Sequence, residues 1–229
     1  MHEKRELFLP YLAAKHSHPR MIISPLYRRY CQMANKRKQV LILDAGIEGA
    51  FAKGQLNHSF VQVAQEVLES KGMLVQVTQV QQDYSIEEEV AKIVACDYLI
   101  VQTPGYWMGG PWQLKKYFDT VFGDKAISGG GDGRHRDNPD AKYGTGGLLK
   151  GKHYMLSSTW NAPLQAFTDP QQFFEGAGID GLFMPLHKTF QFIGMSPLPS
   201  FMANDIYKNP SIKFDLNRFK DHVSKHFNA

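Results

Sequence analysis

The chain has 229 residues, of which 43% are hydrophobic and 21% are charged, close to the averages of folded soluble proteins, so a disordered chain and a collagen-like fibre are excluded. Its apolar runs are interrupted within about eight positions, far short of the roughly 18 residues that cross a bilayer. Its two cysteines, Cys31 and Cys96, cannot build a disulfide framework or a zinc site. We therefore expect one compact domain in a reducing cytoplasm, with no transmembrane segment and no metal.

Positive charge is concentrated at the N-terminus. Residues 1–38 contain nine Lys or Arg and two acidic residues, whereas the rest of the chain carries −3 within a total of +4. A mildly acidic body is poorly suited to a phosphate backbone, so no nucleic-acid binding is expected. We interpret residues 1–38 as a basic N-terminal extension, either a start-site artefact or an arm that wraps a partner subunit. The anchors of such an arm would be Phe8, Tyr11, Leu26 and Tyr27.

From residue 39 onward, short apolar runs alternate with amphipathic segments. The patterns predict five strands, at 40–44, 74–80, 98–102, 153–158 and near 198–204. They also predict five helices: one that ends at Gly72, one at 85–94, one that begins at Pro111, one at about 170–193 and one at 213–227. This alternation is typical of an α/β fold with a doubly wound, five-stranded parallel sheet. The polar, glycine-rich stretch at 123–147 is too long for an ordinary connection and is typical of functional or disordered loops.

Ligands of such a sheet bind at the carboxyl ends of the strands, which selects the loops at 45–57, 103–110 and 159–167. The first loop is rich in glycine and leads into a helix whose first N–H groups are unpaired, so it could hold a phosphate. It lacks the lysine of a P-loop and the spacing of a dinucleotide fingerprint. A glycine-rich turn without a ligand therefore remains an alternative.

The second loop gathers Tyr106, Trp107, Met108 and Trp112 among glycines and prolines. Large flat side chains on a rigid loop suit a planar aromatic ligand. The alternative is that both tryptophans cover the end of the core, which is the expectation for Trp112. The third loop, Thr159 to Pro163, offers amides, a hydroxyl and a carboxamide but no nucleophile or base. A planar cofactor would explain such a site, and flavin is the natural candidate.

Five segments together resemble the bacterial NAD(P)H:quinone oxidoreductases of the flavodoxin-like family that includes DT-diaphorase. The segments are Gly54-Gln55-Leu56-Asn57, Pro104 to Trp112 followed by Lys115-Lys116-Tyr117, Tyr143-Gly144-Thr145-Gly146-Gly147, Ser157 to Ala162, and Leu186-His187-Lys188. The likeness extends from Val40 to the C-terminus and leaves out the basic extension.

The resemblance implies a flavodoxin-like, flavin-binding domain at 39–229, with helices on both faces of the sheet and a homodimeric assembly. It implies FAD rather than FMN, and two-electron reduction of quinones by NADPH or NADH through the flavin in a ping-pong sequence. Two alternatives stay open. One is an azo- or nitroreductase of the same fold, and the other is a flavin-binding regulatory subunit of a potassium-efflux system.

Cofactor-binding residues follow from the resemblance by position. The FAD phosphates would lie against Ala52, Lys53, Gly54, Gln55, Leu56, Asn57, His58 and Ser59. The isoalloxazine ring would be lined by Gly105, Tyr106, Trp107 and Met108, and its edge would be bound by Thr159, Trp160, Asn161 and Ala162. Tyr143 would contact the cofactor from its own or the partner subunit.

Two departures from the family pattern matter. Ala52 stands where relatives commonly have a hydroxyl residue, which predicts weaker FAD binding. The Tyr and His pair of DT-diaphorase has no counterpart after Thr159, so no catalytic side chain is assigned. His187 and Lys188 lie in an apolar helical context that favours a structural role. Arg134 and Arg136 could attract the 2′-phosphate of NADPH or belong to a solvated charge run.

Overall fold

The computed structural model describes residues 37–49, 52–138 and 140–228. Except for Arg37 and Lys38, the basic extension and the four anchors predicted for it lie outside the described residues. Within these ranges, no helix is long and apolar enough to cross a membrane.

A parallel sheet forms the centre of the molecule. Its strands are β1 Gln39–Asp44, β2 Leu74–Gln79, β3 Tyr98–Pro104, β4 His153–Thr159, β5 Ser196–Pro197 and β6 Phe201–Ala203. The order across the sheet is β2-β1-β3-β4, with β5 and β6 both paired to the outer edge of β4. The predicted fifth strand is thus two short segments, because Pro197 and Pro199 have no N–H to donate to a continuous ladder.

Helices connect the strands. They are α1 Gln55–Ser70, α2 Ile86–Ala95, α3 Trp112–Val121, α4 Lys125–Ser128, α5 Gln165–Thr168, α6 Gly178–Leu182, α7 Met184–Phe192 and α8 Ile212–His226. The single helical region predicted at 170–193 is wrong in its first part, which forms turns before α6. Glu175 and Gly176 adopt positive φ values of 53° and 74°, a conformation that a right-handed helix cannot contain.

The core lies on both faces of the sheet, because alternate side chains of each strand point in opposite directions. Leu41 and Leu43 of β1 belong to a cluster with residues of α2, α3 and α7. Val40 and Ile42 belong to a second cluster with residues of α1 and α8. The predicted flavodoxin-like arrangement, with helices on both faces, is therefore confirmed. In α3 and the residue after it, a buried apolar stripe packs on the sheet: Leu114, Tyr117, Phe118, Val121 and Phe122.

Candidate functional site

Three neighbouring strands end at one edge of the sheet. The last residues of β1, β3 and β4 are Asp44, Pro104 and Thr159, and their registers pair Asp44 with Gln102 and Pro104 with Thr159. The three predicted loops therefore begin side by side. The chain moves from β1 outward to β2 and then returns to β3 on the other side of β1, so the edge between β1 and β3 is the topological switch point.

A buried polar network joins the elements beneath these loops. The amide of Gln102 donates from Nε2 to Oδ1 of Asn57 at 2.8 Å, and Nδ2 of Asn57 donates to Oγ1 of Thr159 at 3.2 Å. Gln102 is 1% exposed, and its Oε1 has no hydrogen-bond partner within the described part of the chain. The start of α1 is thus tied to β3 and β4 by side chains that cost free energy if left unpaired.

The second loop is a tight hairpin. Tyr106 and Gly109 exchange two backbone hydrogen bonds of 2.7 and 2.9 Å around a two-residue turn. The turn residues, Trp107 and Met108, have φ values of 45° and 64°, which are unfavourable for residues with a side chain. Trp107 is 96% exposed. The turn therefore holds a large aromatic ring in solvent at the expense of backbone strain.

Trp160 supports this hairpin from below. Its indole packs against Gly105, where a Cβ would lie 2.7 Å from Cζ2 of the ring, so only glycine fits without rearrangement. Its Nε1 donates to Oγ of Ser158 at 2.8 Å, and that hydroxyl donates to the carbonyl of Thr103 at 2.8 Å. The second and third loops therefore form one packed unit.

The first loop leads into α1 through Gly54, which has a φ of 69° and provides no side-chain cap. The first turn of α1 contains no acidic residue, so the positive end of the helix is not compensated there. Lys53 and Gln55 are exposed beside it, while Ala52 and Leu56 are partly buried. Oγ of Ser59 donates to the carbonyl of Gln55 at 3.0 Å.

In the third loop, internal hydrogen bonds occupy part of the polar surface. The backbone N–H of Tyr207 donates to Oδ1 of Asn161 at 3.2 Å. The backbone N–H of Asp205 donates to the carbonyl of Ala162 at 3.0 Å. The indole of Trp160 is buried. The N–H of Trp160 is also used internally, since it donates to the carbonyl of Ala203 at 2.9 Å, and Asn161 is the exposed polar residue of the loop.

A cleft of about 940 Å³ opens next to the aromatic hairpin. Met108 and Tyr143 line it together with both apolar and polar residues of α3 and α7. Tyr143 is exposed, and the centroid of its ring lies 5.6 Å from that of the Phe192 ring. The guanidinium of Arg134 lies over the Tyr143 ring, 5.4 Å from its centroid. The cleft therefore brings Tyr143 of the long glycine-rich loop to the same region as the hairpin.

His187 lies inside the protein rather than in the cleft. Its Nδ1 is 2.8 Å from the hydroxyl of Tyr154, and its Nε2 is 3.1 Å from Oδ1 of Asp180. Both ring nitrogens thus contact residues of neighbouring elements, Tyr154 of β4 and Asp180 of α6. This agrees with the structural role predicted for His187. Lys188 lines the cleft.

Two tryptophans are placed differently from what the residue pattern suggests. Trp112 is 67% exposed, so the expectation that it covers the core is wrong; the apolar stripe of α3 begins at Leu114, on another face of the helix. Trp160, predicted to bind the edge of the ring, has a buried indole that packs beneath the second loop.

Sequence reasoning missed Asp44 and the buried network residue Gln102. Each is a polar residue at the end of an apolar strand, 1% exposed. That position was the available signal, because a buried polar side chain requires a partner.

The chain belongs to the family described as having a flavodoxin-like fold, which matches residues 38–227. A relative that is 43% identical over 193 residues, 82% of this chain and 98% of the relative, is NADPH:quinone oxidoreductase MdaB of Haemophilus influenzae. The resemblance inferred from the five segments is thereby confirmed.

Solved structures share the fold. A putative quinone reductase from Klebsiella pneumoniae has a TM-score of 0.65 at 19% identity, with 83% of both chains covered. General stress protein 14 of Treponema denticola, determined in complex with FMN, has a TM-score of 0.54 at 17% identity, with 82% of this chain and 97% of that chain covered. At these identities the likeness concerns the fold alone.

Proposed function

We propose that this chain is a flavin-dependent NAD(P)H:quinone oxidoreductase that acts as a cytoplasmic homodimer, with FAD as its cofactor. The observation that carries the proposal is the edge of the sheet, which unites an uncapped helix start, an exposed aromatic hairpin and the polar loop after β4. The identity to the Haemophilus influenzae reductase supports the same conclusion.

The residues at this edge fit a flavin. The unpaired N–H groups at the start of α1 and the side chain of Lys53 suit phosphate oxygens. Trp107 and Met108 offer apolar surface for a planar ring, and the packing of Gly105 against Trp160 fixes the base of their hairpin. The unpartnered Oε1 of Gln102 adds a buried acceptor beneath the loops.

Each loop has its own task in the proposal. Residues 52–59 hold the phosphates, residues 105–108 line the ring, and residues 159–162 bind the edge of the ring, with Tyr143 closing the cleft. When bound, the flavin supplies the acceptor and donor of hydride. The chain's own contribution is to orient the ring, exclude water and leave one face open.

Nicotinamide and quinone use the same cleft in turn, which is the basis of the ping-pong sequence. Arg134 is engaged with Asp132 through Nε at 2.8 Å and is stacked on Tyr143, so its charge is already compensated. Arg136 is exposed, and we assign to it the attraction of the NADPH 2′-phosphate.

Steady-state kinetics test the proposal. Purified protein supplied with FAD, or with FMN as the alternative cofactor, should oxidise NADPH with menadione at several turnovers per second or more, a typical enzyme rate. Parallel double-reciprocal lines under varied NADPH and quinone are expected, and intersecting lines would contradict a shared cleft. Bound flavin with negligible turnover would indicate a regulatory subunit instead. Larger specificity constants for azo or nitro compounds would make those the substrates.

A further inference from the structure

Beneath the first loop lies a histidine–carboxylate pair. Asp44, the last residue of β1, is 1% exposed, and its Oδ2 is 2.6 Å from Nδ1 of His58 in α1. Its other oxygen, Oδ1, accepts the backbone N–H of Gly46 at 2.9 Å. Both carboxylate oxygens are thus used within the protein.

The carboxylate of Asp44 is the buried member of this pair. Burial raises the pKa of Asp44, and the Gly46 N–H and the His58 ring oppose that rise. A buried carboxylate is costly unless a cation or several donors compensate it. The partners that the geometry supplies are the backbone N–H of Gly46 and Nδ1 of His58.

The free edge of His58 faces the start of α1. Its Nε2 lies 2.9 Å from the position a Cβ would occupy on Gly54, the residue that precedes the helix. The side chain is 37% exposed, so this edge can meet a ligand while Nδ1 stays with Asp44. An anion at the first N–H groups of α1 would therefore lie beside Nε2.

We propose that His58 is a cationic ligand of the flavin diphosphate and that Asp44 is the positioning residue that orients and charges it. The inference rests on the proposed function and deepens it. Nδ1–H donates to Asp44, and Nε2–H donates to a phosphate oxygen. This contact takes the place of the hydroxyl that the chain lacks at Ala52.

A dependence on pH follows from the charges around the ring. The ionisable groups of the surrounding elements are Asp44 of β1 and, from the first loop, Glu48 and Lys53; β3 contributes the neutral Gln102, and α1 carries no other charge before Glu66. When His58 loses its proton, a hydrogen-bond donor disappears and the carboxylate of Asp44 faces the diphosphate uncompensated. Flavin diphosphate binding should therefore weaken as the pH rises.

Titrations of the apoprotein with FAD and with riboflavin, followed by quenching of flavin fluorescence, test this inference. Riboflavin lacks phosphate, so it reports the ring site alone. Between about pH 5 and about pH 8, FAD affinity should fall about tenfold, the loss of one charge-assisted hydrogen bond, while riboflavin affinity stays constant. His58→Gln should remove the pH dependence of FAD binding. Asp44→Asn should weaken FAD binding and leave riboflavin binding unchanged, because Nδ1 of His58 loses the carboxylate that orients and compensates the ring.

His153→Gln, at the opposite end of β4, is the matched control and should leave both titrations unchanged. The inference is overturned if wild-type FAD and riboflavin titrations share one pH profile, or if His58→Gln weakens both ligands equally. The wild-type comparison keeps the test valid even if a variant fails to fold. Protein that binds neither flavin at any pH would instead refute the proposed function.

Discussion

Gly105 and Trp160 are in contact across 55 positions of sequence, and the indole occupies the space in which any side chain at position 105 would lie. The contact fixes the base of the aromatic hairpin on the loop after β4. The hairpin therefore depends on a glycine for steric reasons, since the backbone of Gly105 has no positive φ.

Replacing Gly105 with Ala should destabilise the apoprotein by about 1–3 kcal/mol, the usual cost of overpacking, and should weaken flavin binding because the hairpin shifts. Urea denaturation and fluorescence titration measure the two effects. Gly109→Ala is the control in the same hairpin, because a Cβ there would meet only the carbonyl of Tyr106, at 3.9 Å. Equal destabilisation by both variants would contradict the packing argument.

Trp107→Ala should weaken FAD binding by roughly 1–3 kcal/mol, the scale of a lost aromatic contact, and should slow quinone reduction. Its effect on the free energy of unfolding should be small, because the side chain is almost fully exposed. Trp107→Gly should be more stable than Trp107→Ala by about 1 kcal/mol, since glycine tolerates a φ of 45°. If Trp107→Ala unfolds the apoprotein while the folded fraction binds FAD normally, the ring belongs to the core and the ligand interpretation is wrong.

The buried network predicts strong coupling between Asn57 and Gln102. Asn57→Leu or Gln102→Met alone should cost about 1–3 kcal/mol, because each leaves a buried polar group unpaired. The double variant should cost clearly less than the sum of the two, as a double-mutant cycle in urea would measure. The exposed pair Gln62 and Glu66, joined at 2.9 Å on α1, is the control and should show coupling below about 0.5 kcal/mol. Additive costs for Asn57 and Gln102 would mean that their hydrogen bond contributes nothing.

Cys96 should be unreactive in the folded protein. Burial raises the pKa of its thiol to about 11, so the thiolate that reacts is nearly absent at neutral pH and increases only as the pH approaches that value. In a Cys31→Ser variant, alkylation at about pH 8 should be about a hundredfold slower than in denaturant. Similar rates in the folded and denatured protein would show that the thiol is accessible.

Much of the fold follows from local patterns. The buried runs at 40–44 and 153–158 could only be central strands, and their alternation with amphipathic helices required a parallel sheet. Prediction failed at 170–177, the first part of the predicted helical region, because apolar spacing does not reveal positive φ angles such as that of Glu175. It also failed for Trp112, since the direction of one side chain depends on which helix face meets the sheet.

The sequence by itself determined the α/β class, the three loops at one edge and the family, because strand ends, glycines and aromatic clusters are local features of the chain. Only the tertiary structure decided which side chains meet there. Asp44 with His58, Gln102 with Asn57, and Gly105 with Trp160 are contacts between different elements, and their geometry depends on sheet order and register. Neither the order of the strands nor their register follows from the periodicity of a single segment, so the partners of the buried polar groups could be identified only in the folded structure.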